Sequence, residues 1–226
     1  MKKTMFAVSA IALSLMSASV FAGPAEKSEA AQEKFVSYSF YGVAVPADNA
    51  KNIKYTDLQK IKDQKAMAAY LKDITKSENA KLITSGGGMD LSGKDLALSV
   101  NKEIPYTKSV TMKTDAADKT LTQTVTMKQD VFNEGVNLLM NSKEDNGFIR
   151  TKMNLNTNTL LLITKGDVKE GTPDSLDTHS VKIDTSFIVK PNQVVKFDSP
   201  VYEREGKEYK DIYFIQQSLG TTAVKG

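Results

Sequence analysis

The chain has no cysteine, no tryptophan and a single histidine among its 226 residues. Without cysteine no disulfide can support the fold, so a packed apolar core has to do so. The same absence excludes thiol chemistry and a lipid-modified cysteine. After Ala22 the sequence also lacks any apolar run that approaches the length of a membrane-spanning helix.

The first 22 residues have the order of parts of a secretory signal peptide. Lys2 and Lys3 give a positive start, and Thr4–Val20 is a run of apolar and small residues. Val20 and Ala22 then form a small-x-small cleavage site, which predicts a mature protein that begins at Gly23. We therefore expect the protein in the periplasm or outer membrane of a bacterial envelope. That location excludes ATP, NAD and most cytosolic partners.

The charge of the mature chain is close to balanced. Removal of Lys2 and Lys3 lowers the number of lysines and arginines from 30 to 28, against 27 acidic residues, so the net charge becomes +1. Binding to nucleic acid through phosphate neutralisation needs a strongly basic surface. The composition therefore predicts no nucleic-acid partner.

Periodicity predicts an α+β fold that is mostly β: an antiparallel meander with one amphipathic helix near its N-terminal end. The helix is predicted over Thr56–Thr75, because Thr56 and Gln59 form a capping box and apolar residues recur at spacings of three and four. The predicted divisions are a signal peptide 1–22, a linker 23–34, a β domain 35–220 and a flexible tail 221–226.

Most of the chain after the helix alternates as strands do, interrupted by turn residues. A glycine turn is predicted at Ser85–Asp90, a hairpin turn at Lys143–Gly147 and a polar loop at Lys165–Asp177. The predicted strands are Phe35–Val45, Lys81–Thr84, Leu96–Val100 (ending near Pro105), Tyr106–Thr114, Thr120–Gln129, Val136–Met140, Phe148–Thr157, Leu160–Thr164, Val181–Val189, Gln193–Phe197 and Asp211–Gln216.

Two strands, Thr120–Gln129 and Phe148–Thr157, alternate with period two. Threonine, lysine and asparagine occupy one face of each strand. The opposite face is either a lipid-facing surface or the core of a soluble sheet, and the alternation permits both. The residues of this candidate membrane or core face are Leu121, Val125, Met127, Ile149, Met153 and Leu155.

Three segments look chemical, but their patterns do not predict chemistry. Gly88–Asp95 approaches a phosphate-binding loop, yet it ends in Asp instead of Ser or Thr and precedes a strand instead of a helix. His179 has acidic neighbours in sequence but no second ligand at helical spacing, which favours a solvated loop histidine. Glu203 and Glu205 lie in a turn that reads as exposed. We therefore predict no catalytic residue, no metal site and no cofactor, and a protein that is not an enzyme.

From about Leu58 to Leu219 the order of motifs resembles the core domain of secretins. Lys81–Ser85 resembles the short strand of that domain, and Leu91–Val100 its next turn and strand. The remaining matches are the segment around Glu103, Ile104, Pro105 and Tyr106; the aromatic-x-x-Gly-Val-x-Leu step with Gly135 and Val136; the turn with Gly147; the hairpin Lys190–Val195; and the last strand Lys210–Ile215.

The resemblance implies a part of, or an accessory to, a secretion, type IV pilus or phage-extrusion apparatus. It implies protein partners in that apparatus, a homo-oligomer and contact with the outer membrane. A channel would need many copies, because one chain supplies only a few strands. The chain departs from the family pattern, since about 30 mature residues precede the helix, and neither a V-P-x-L-G-x-I-P gate segment nor a lip helix after Gly220 is visible.

Two further hypotheses belong to other classes. One is a soluble periplasmic binding or scaffolding module that docks on a partner complex by strand addition. The other is a pilus-associated adhesin unrelated to a channel. An exported hydrolase has no supporting group of residues, since no G-x-S-x-G or Ser-x-x-Lys pattern is present.

Overall fold

The computed structural model describes residues 32–117 and 120–223, with side chains for residues 33–114 and 123–221. Antiparallel strands dominate it. The elements are β1 Gln32–Pro46, α1 Ala47–Ala50, α2 Tyr55–Leu58, α3 Gln64–Ser77, β2 Lys81–Leu91, β3 Asp95–Ala117, β4 Thr120–Asp145, β5 Phe148–Thr164, a 3-10 turn Val168–Glu170, β6 Ser175–Val189, β7 Val194–Arg204 and β8 Lys207–Ala223.

The strands form two four-stranded antiparallel sheets. The first sheet has the order β2-β1-β8-β7 and the second has the order β3-β4-β5-β6. The prediction of a mostly-β α+β fold with antiparallel sheets is therefore confirmed. β1 starts at Gln32, within the last three residues of the predicted linker, and β8 reaches Ala223.

The first sheet lies between the helices and the second sheet, so both of its faces are covered. Ile212 and Phe214 of β8 pack with Leu58 and Met67 in the cluster beneath the helices. The alternate residues of the same strand, such as Tyr213, enter the cluster between the two sheets. This double burial explains why every residue from Asp211 to Gln217 is buried, because a strand covered on both faces keeps neither side in water.

The single helix predicted over Thr56–Thr75 is wrong in its boundaries, since the chain forms two helices there. α2 ends at Leu58, and Asp63 begins α3 as its N-cap, where its side chain accepts a hydrogen bond from the Ala66 N–H at 2.7 Å. A residue that caps a new helix cannot also continue an old one. The break lets both Leu58 and Ile61 enter the core.

None of the helices in the described part of the chain is long and apolar enough to cross a membrane.

The glycine turn predicted at Ser85–Asp90 is wrong, because these residues continue β2. Gly86 and Gly88 pair with Phe40 and Tyr38 of β1. A Cβ on Gly86 would lie 2.6 Å from the Leu98 side chain. Glycine therefore serves close packing of two strands here, and the chain reverses later, between β2 and β3.

β3 also runs through Pro105, where its predecessor in the prediction was expected to end. β3 has a single neighbour, β4, so its other edge faces away from the sheet. Proline, which has no N–H to donate, is tolerated on such an edge strand.

Candidate functional site

The second sheet divides into two hairpin arms at Gly135. β4 and β5 pair only from Gly135 opposite Asn158 to Asp145 opposite Phe148. Beyond that point β4 pairs with β3 alone and β5 with β6 alone. We call residues 102–117 with 120–134 the long arm, and residues 159–164 with 175–179 the short arm. At about 3.4 Å per residue, the long arm extends roughly 50 Å.

Gly135 stands at the fork and has a backbone that other residues rarely adopt. Its φ is +155°, and a Cβ built on it would lie 2.1 Å from the Val100 carbonyl oxygen. Glycine has no Cβ, so it alone fits here without a backbone shift. Val136, the next residue of the secretin-like motif, is buried between the sheets.

The other motif residues lie on the arm and at a turn. Glu103, Ile104, Pro105 and Tyr106 form the first part of the long arm, where Ile104 and Tyr106 are half-buried and Glu103 and Pro105 are exposed. Gly147 and Asn146 have φ values of +80° and +52°. These angles fit the two-residue turn that joins β4 and β5, so the hairpin turn predicted at Lys143–Gly147 is confirmed.

The long arm is amphipathic across its width. Val110 lies opposite Met127, and Met112 lies opposite Val125. Directly opposed residues point to the same side of a ladder, so these four make an apolar side. Val125 and Met127 are 40% and 52% exposed. The other side of the arm carries Ser109, Thr111, Lys113, Thr124, Thr126 and Lys128.

The apolar alternation reverses its phase at the fork. In the long arm the apolar residues of β4 stand at odd positions such as Val125, whereas from Val136 to Met140 the buried ones stand at even positions. Leu155 pairs with Leu138 and therefore lies on the opposite side of β4 from Val125. The sequence treated both sets as one face, and a change of phase between two strand segments was the signal available.

The six candidate face residues accordingly separate into two groups. Ile149, Met153 and Leu155 are at most 2% exposed and pack against residues of the first sheet. Val125 and Met127 are exposed on the long arm. Leu121 lies among the residues whose side chains are outside the described part.

The outer face of the second sheet, away from the core, is a field of amides and hydroxyls. Asn101 Nδ2 donates to Ser99 Oγ at 2.7 Å, and Ser99 Oγ donates to Asn137 Oδ1 at 2.6 Å. Ser180 Oγ donates to Asn158 Oδ1 at 2.8 Å on the neighbouring strands. These side chains satisfy one another along the ladders, so the face is polar and well ordered.

Asp174 ties the connection between β5 and β6 to the long arm. Its carboxylate accepts hydrogen bonds from the Thr107 N–H at 2.8 Å, the Gly166 N–H at 3.0 Å and Lys165 Nζ at 3.1 Å. The two backbone N–H groups and then Lys165 lower the pKa of Asp174. The contact coincides with the register shift in β3 between Thr107 and Ser109. The sequence gave Asp174 only as an acidic neighbour of His179.

A buried polar cluster lies between the two sheets. The Tyr202 hydroxyl donates to Asp211 Oδ1 at 2.8 Å, and the Asp211 N–H donates to Ser199 Oγ at 2.9 Å. Tyr213 reaches Asp211 Oδ2 at 3.4 Å, and its hydroxyl lies 3.0 Å from Thr157 Oγ1. Burial raises the pKa of Asp211 although the tyrosine hydroxyls act in the opposite direction.

The prediction of a solvated loop histidine at 179 is wrong. His179 belongs to β6, its side chain is 11% exposed, and its ring stacks on Tyr202 with centroids 4.1 Å apart. His179 Nε2 is buried, lies 4.0 Å from Asp211 Oδ2 and has no hydrogen-bond partner among the described residues. The short arm pairs past the bulge near Leu160, which places this position inside the sheet. Glu203 and Glu205 are exposed, as predicted.

Within residues 32–117 and 120–223, no group of three His, Cys, Asp or Glu side chains is arranged to hold a metal ion. Asp177 and Asp184, the acidic residues near His179 in sequence, are exposed on β6. Ala22 and Gly23, the predicted cleavage residues, lie outside the described residues.

Solved structures that are similar to this chain include secretins of three systems. The type II secretin GspD of enteropathogenic Escherichia coli is 9% identical, with a TM-score of 0.35, over 83% of this chain and 68% of that chain. InvG of the Salmonella SPI-1 type III injectisome is 7% identical, with a TM-score of 0.37, over 86% and 65%. PilQ of the Vibrio cholerae type IV competence pilus is 10% identical, with a TM-score of 0.33, over 84% and 60%.

No protein-family profile and no curated protein matches the sequence. The secretin-like resemblance of the motifs is confirmed as a similarity to solved secretins. With TM-scores below 0.5, this similarity says nothing further about activity or partners. The chain spans roughly two thirds of the length of the secretin chains that it matches.

Proposed function

We propose that the protein is an exported, non-enzymatic component of a secretion, type IV pilus or phage-extrusion apparatus of the bacterial envelope. Its partners are proteins of that apparatus, and its working form is a homo-oligomer. The leader at residues 1–22 supports the location, and the order of secretin-like motifs supports the kind of apparatus.

The observation that carries the proposal is the pair of arms held by a rigid three-layer body. The body buries its own apolar faces, whereas the long arm leaves the β3 edge and, beyond the fork, the β4 edge without a neighbouring strand. Unpaired strand edges bind other strands through backbone hydrogen bonds. An arm of this kind suits docking on a partner or on a second copy.

A variant without the long arm tests this role directly. Residues 104–132 would be replaced by an Asn-Gly turn, which keeps the fork and the body. We expect a folded protein by circular dichroism, with the export and N-terminus of the parent chain. In the source bacterium, deletion of the gene should abolish pili, secretion or phage release. The parent chain should restore the lost process, and the armless variant should not. Full restoration by the armless variant, or a cytosolic product that retains Met1, would refute the proposal.

A channel is the second candidate, and the apolar side of the long arm favours it. Val110, Met112, Val125 and Met127 form a stripe that a neighbouring copy or lipid could cover. A single arm has free edges, which hydrocarbon does not tolerate, so only arms paired between copies could enter the outer membrane. A detergent-resistant ring purified from outer membranes would support the channel, and a monomer or small oligomer in the periplasmic fraction would support the docking module.

A further inference from the structure

β2 and β3 separate from each other as they leave the turn that joins them. Near the turn they are close, because Gly86 and Gly88 leave room for Leu98 and Leu96 of β3. Beyond Ser85 the side chains of β2 return, and the strands no longer fit together. A cleft of about 410 Å³ opens there, between the free end of β2 and the fork of the second sheet.

The walls of this cleft are apolar and partly open to solvent. Leu82, Ile83 and Val100 line it and are 49%, 38% and 47% exposed. Val136 lies at its inner end and is buried. Three large apolar side chains exposed around one concavity are typical of a surface that a partner covers.

The cleft also offers hydrogen-bonding groups. Thr84 lines it, is 9% exposed, and its Oγ1 is buried with no partner among the described residues. β2 and β3 are the terminal strands of their sheets, so each has one edge without a neighbouring strand. An extended backbone placed beside β2 would find a row of donors and acceptors.

The charge around the mouth is mainly positive. Lys81, Lys102 and Arg204 line the cleft, and Glu134 is its one acidic residue. Glu134 Oε1 already accepts the Leu160 N–H at 3.1 Å. In the described part of the chain, none of the three cations lies within ion-pair distance of a carboxylate.

We propose that this cleft binds an extended, acidic peptide segment of a partner protein. The segment adds beside the free edge of β2, an aliphatic side chain enters between Ile83 and Val100, and its carboxylates pair with Lys81 and Lys102. The combination of strand edge, apolar wall and unpaired cations selects a peptide with alternating acidic and aliphatic residues. The inference goes beyond the role of the arms, since the cleft belongs to the body and stays in place without the long arm.

Fluorescence anisotropy with a defined probe tests the proposal. The probe is a fluorescein-labelled hexapeptide, Asp-Val-Glu-Ile-Asp-Val, acetylated and amidated, titrated with the mature full chain. We expect saturable binding that weakens as salt is raised. The double variant Lys81→Glu, Lys102→Glu should weaken binding by about tenfold or more, because it reverses the charges that face the peptide. Leu82→Asp should weaken it comparably.

Lys182→Glu is the matched control. It makes one of the same charge changes on the outer face of the second sheet, where Lys182 is exposed opposite Asn156. Binding to this variant should equal that of the parent chain, and circular dichroism should show that all variants are folded. A hexapeptide with Lys in place of each acidic residue should not bind.

Three outcomes would overturn the proposal. The first is the absence of saturable binding, and the second is equal binding of the acidic and basic peptides. The third is loss of self-association, or of binding to phosphatidylglycerol vesicles, in the same double variant without any effect on the peptide. That result would assign the cleft to a second copy or to lipid. None of these outcomes bears on export or on the armless variant, so the proposed function is tested separately.

Discussion

Gly135 is the residue on which the shape of the second sheet depends most directly. Its φ of +155° and the 2.1 Å approach of the Val100 carbonyl oxygen leave no space for a side chain. We expect Gly135→Ala to lower the free energy of unfolding by about 1–3 kcal/mol, the cost of holding a side chain in such a backbone. Urea unfolding measures the change.

Gly147→Ala is the control for this substitution. Gly147 also has a positive φ, of +80°, but a Cβ there would meet nothing within 4 Å. Only the conformational cost of about 1–2 kcal/mol then applies. A loss at Gly135 no greater than that at Gly147 would show that the fork relaxes around the new methyl group.

Asp211 should make stability depend on pH. Burial raises its pKa in the folded protein, so the protonated form favours the fold. Its contribution is fully present below the unfolded value, near pH 4, and is lost as the pH rises through the folded pKa. The difference in unfolding free energy between the parent chain and Asp211→Asn should therefore fall from about pH 4 toward neutrality.

Asp174→Asn should give the opposite slope. The Thr107 and Gly166 N–H groups lower the pKa of Asp174, so its contribution is present above the unfolded value and is lost as the pH falls through the folded pKa. Two parallel difference curves would contradict both assignments. Urea unfolding at a series of pH values supplies the data.

At the scale of elements, the reversed alternation of β4 and β5 predicts different outcomes for two similar changes. Leu155 is 0% exposed, so Leu155→Arg buries an unpaired charge and should cost about 3–5 kcal/mol or prevent folding. Val125 is 40% exposed on the long arm, so Val125→Arg should change the stability of the isolated chain by less than about 0.5 kcal/mol. Thermal unfolding compares them.

The same pair separates docking from a channel. Within a lipid-inserted arm, Val125→Arg should cost about 2–4 kcal/mol near the bilayer midplane and reduce the outer-membrane form. An unchanged oligomer and location in Val125→Arg would argue against lipid contact by this side of the arm. A folded Leu155→Arg protein would contradict the packing of the two sheets.

The helical layer gives a second test of packing. Leu58 is 0% exposed, whereas Leu71 is only partly buried at the margin of the same cluster. Leu58→Ala should cost about 2–5 kcal/mol through lost burial and a cavity. Leu71→Ala should cost less, because water or neighbouring side chains can fill the space. Equal losses in thermal melts would mean that α3 covers the sheet more fully than its exposure indicates.

Local patterns predicted the strands better than their limits. Period-two alternation located β5 and much of β4, since side chains of a strand alternate wherever one face is buried. Pro105 and the glycines 86–88 were read as strand ends. Their effect depends on the neighbouring strand, because proline is harmless at a free edge and glycine is useful at a close approach. The position of His179 in the core was equally outside local information.

At the scale of the whole molecule, export is the prediction that bears on every other. Val20 and Ala22 stand at the small positions of the cleavage site. Ala22→Leu should block cleavage, because the peptidase requires a small side chain there, and mass spectrometry should then find a product longer by the leader. Ala18→Leu, inside the apolar run, should still be cleaved before Gly23. Cleavage of both variants at the same place would show that the site lies elsewhere.

The sequence by itself determined that the core is held without disulfides, that strands predominate, and that a leader precedes them, because composition and alternation are local properties. Tertiary structure decided which alternating face is buried. The first sheet covers Leu155 but stops short of the long arm, so the same pattern of residues produces core in one place and exposed surface in the other. The fork at Gly135 and the burial of His179 beside Asp211 arise from pairings between distant segments, which no single stretch of sequence contains.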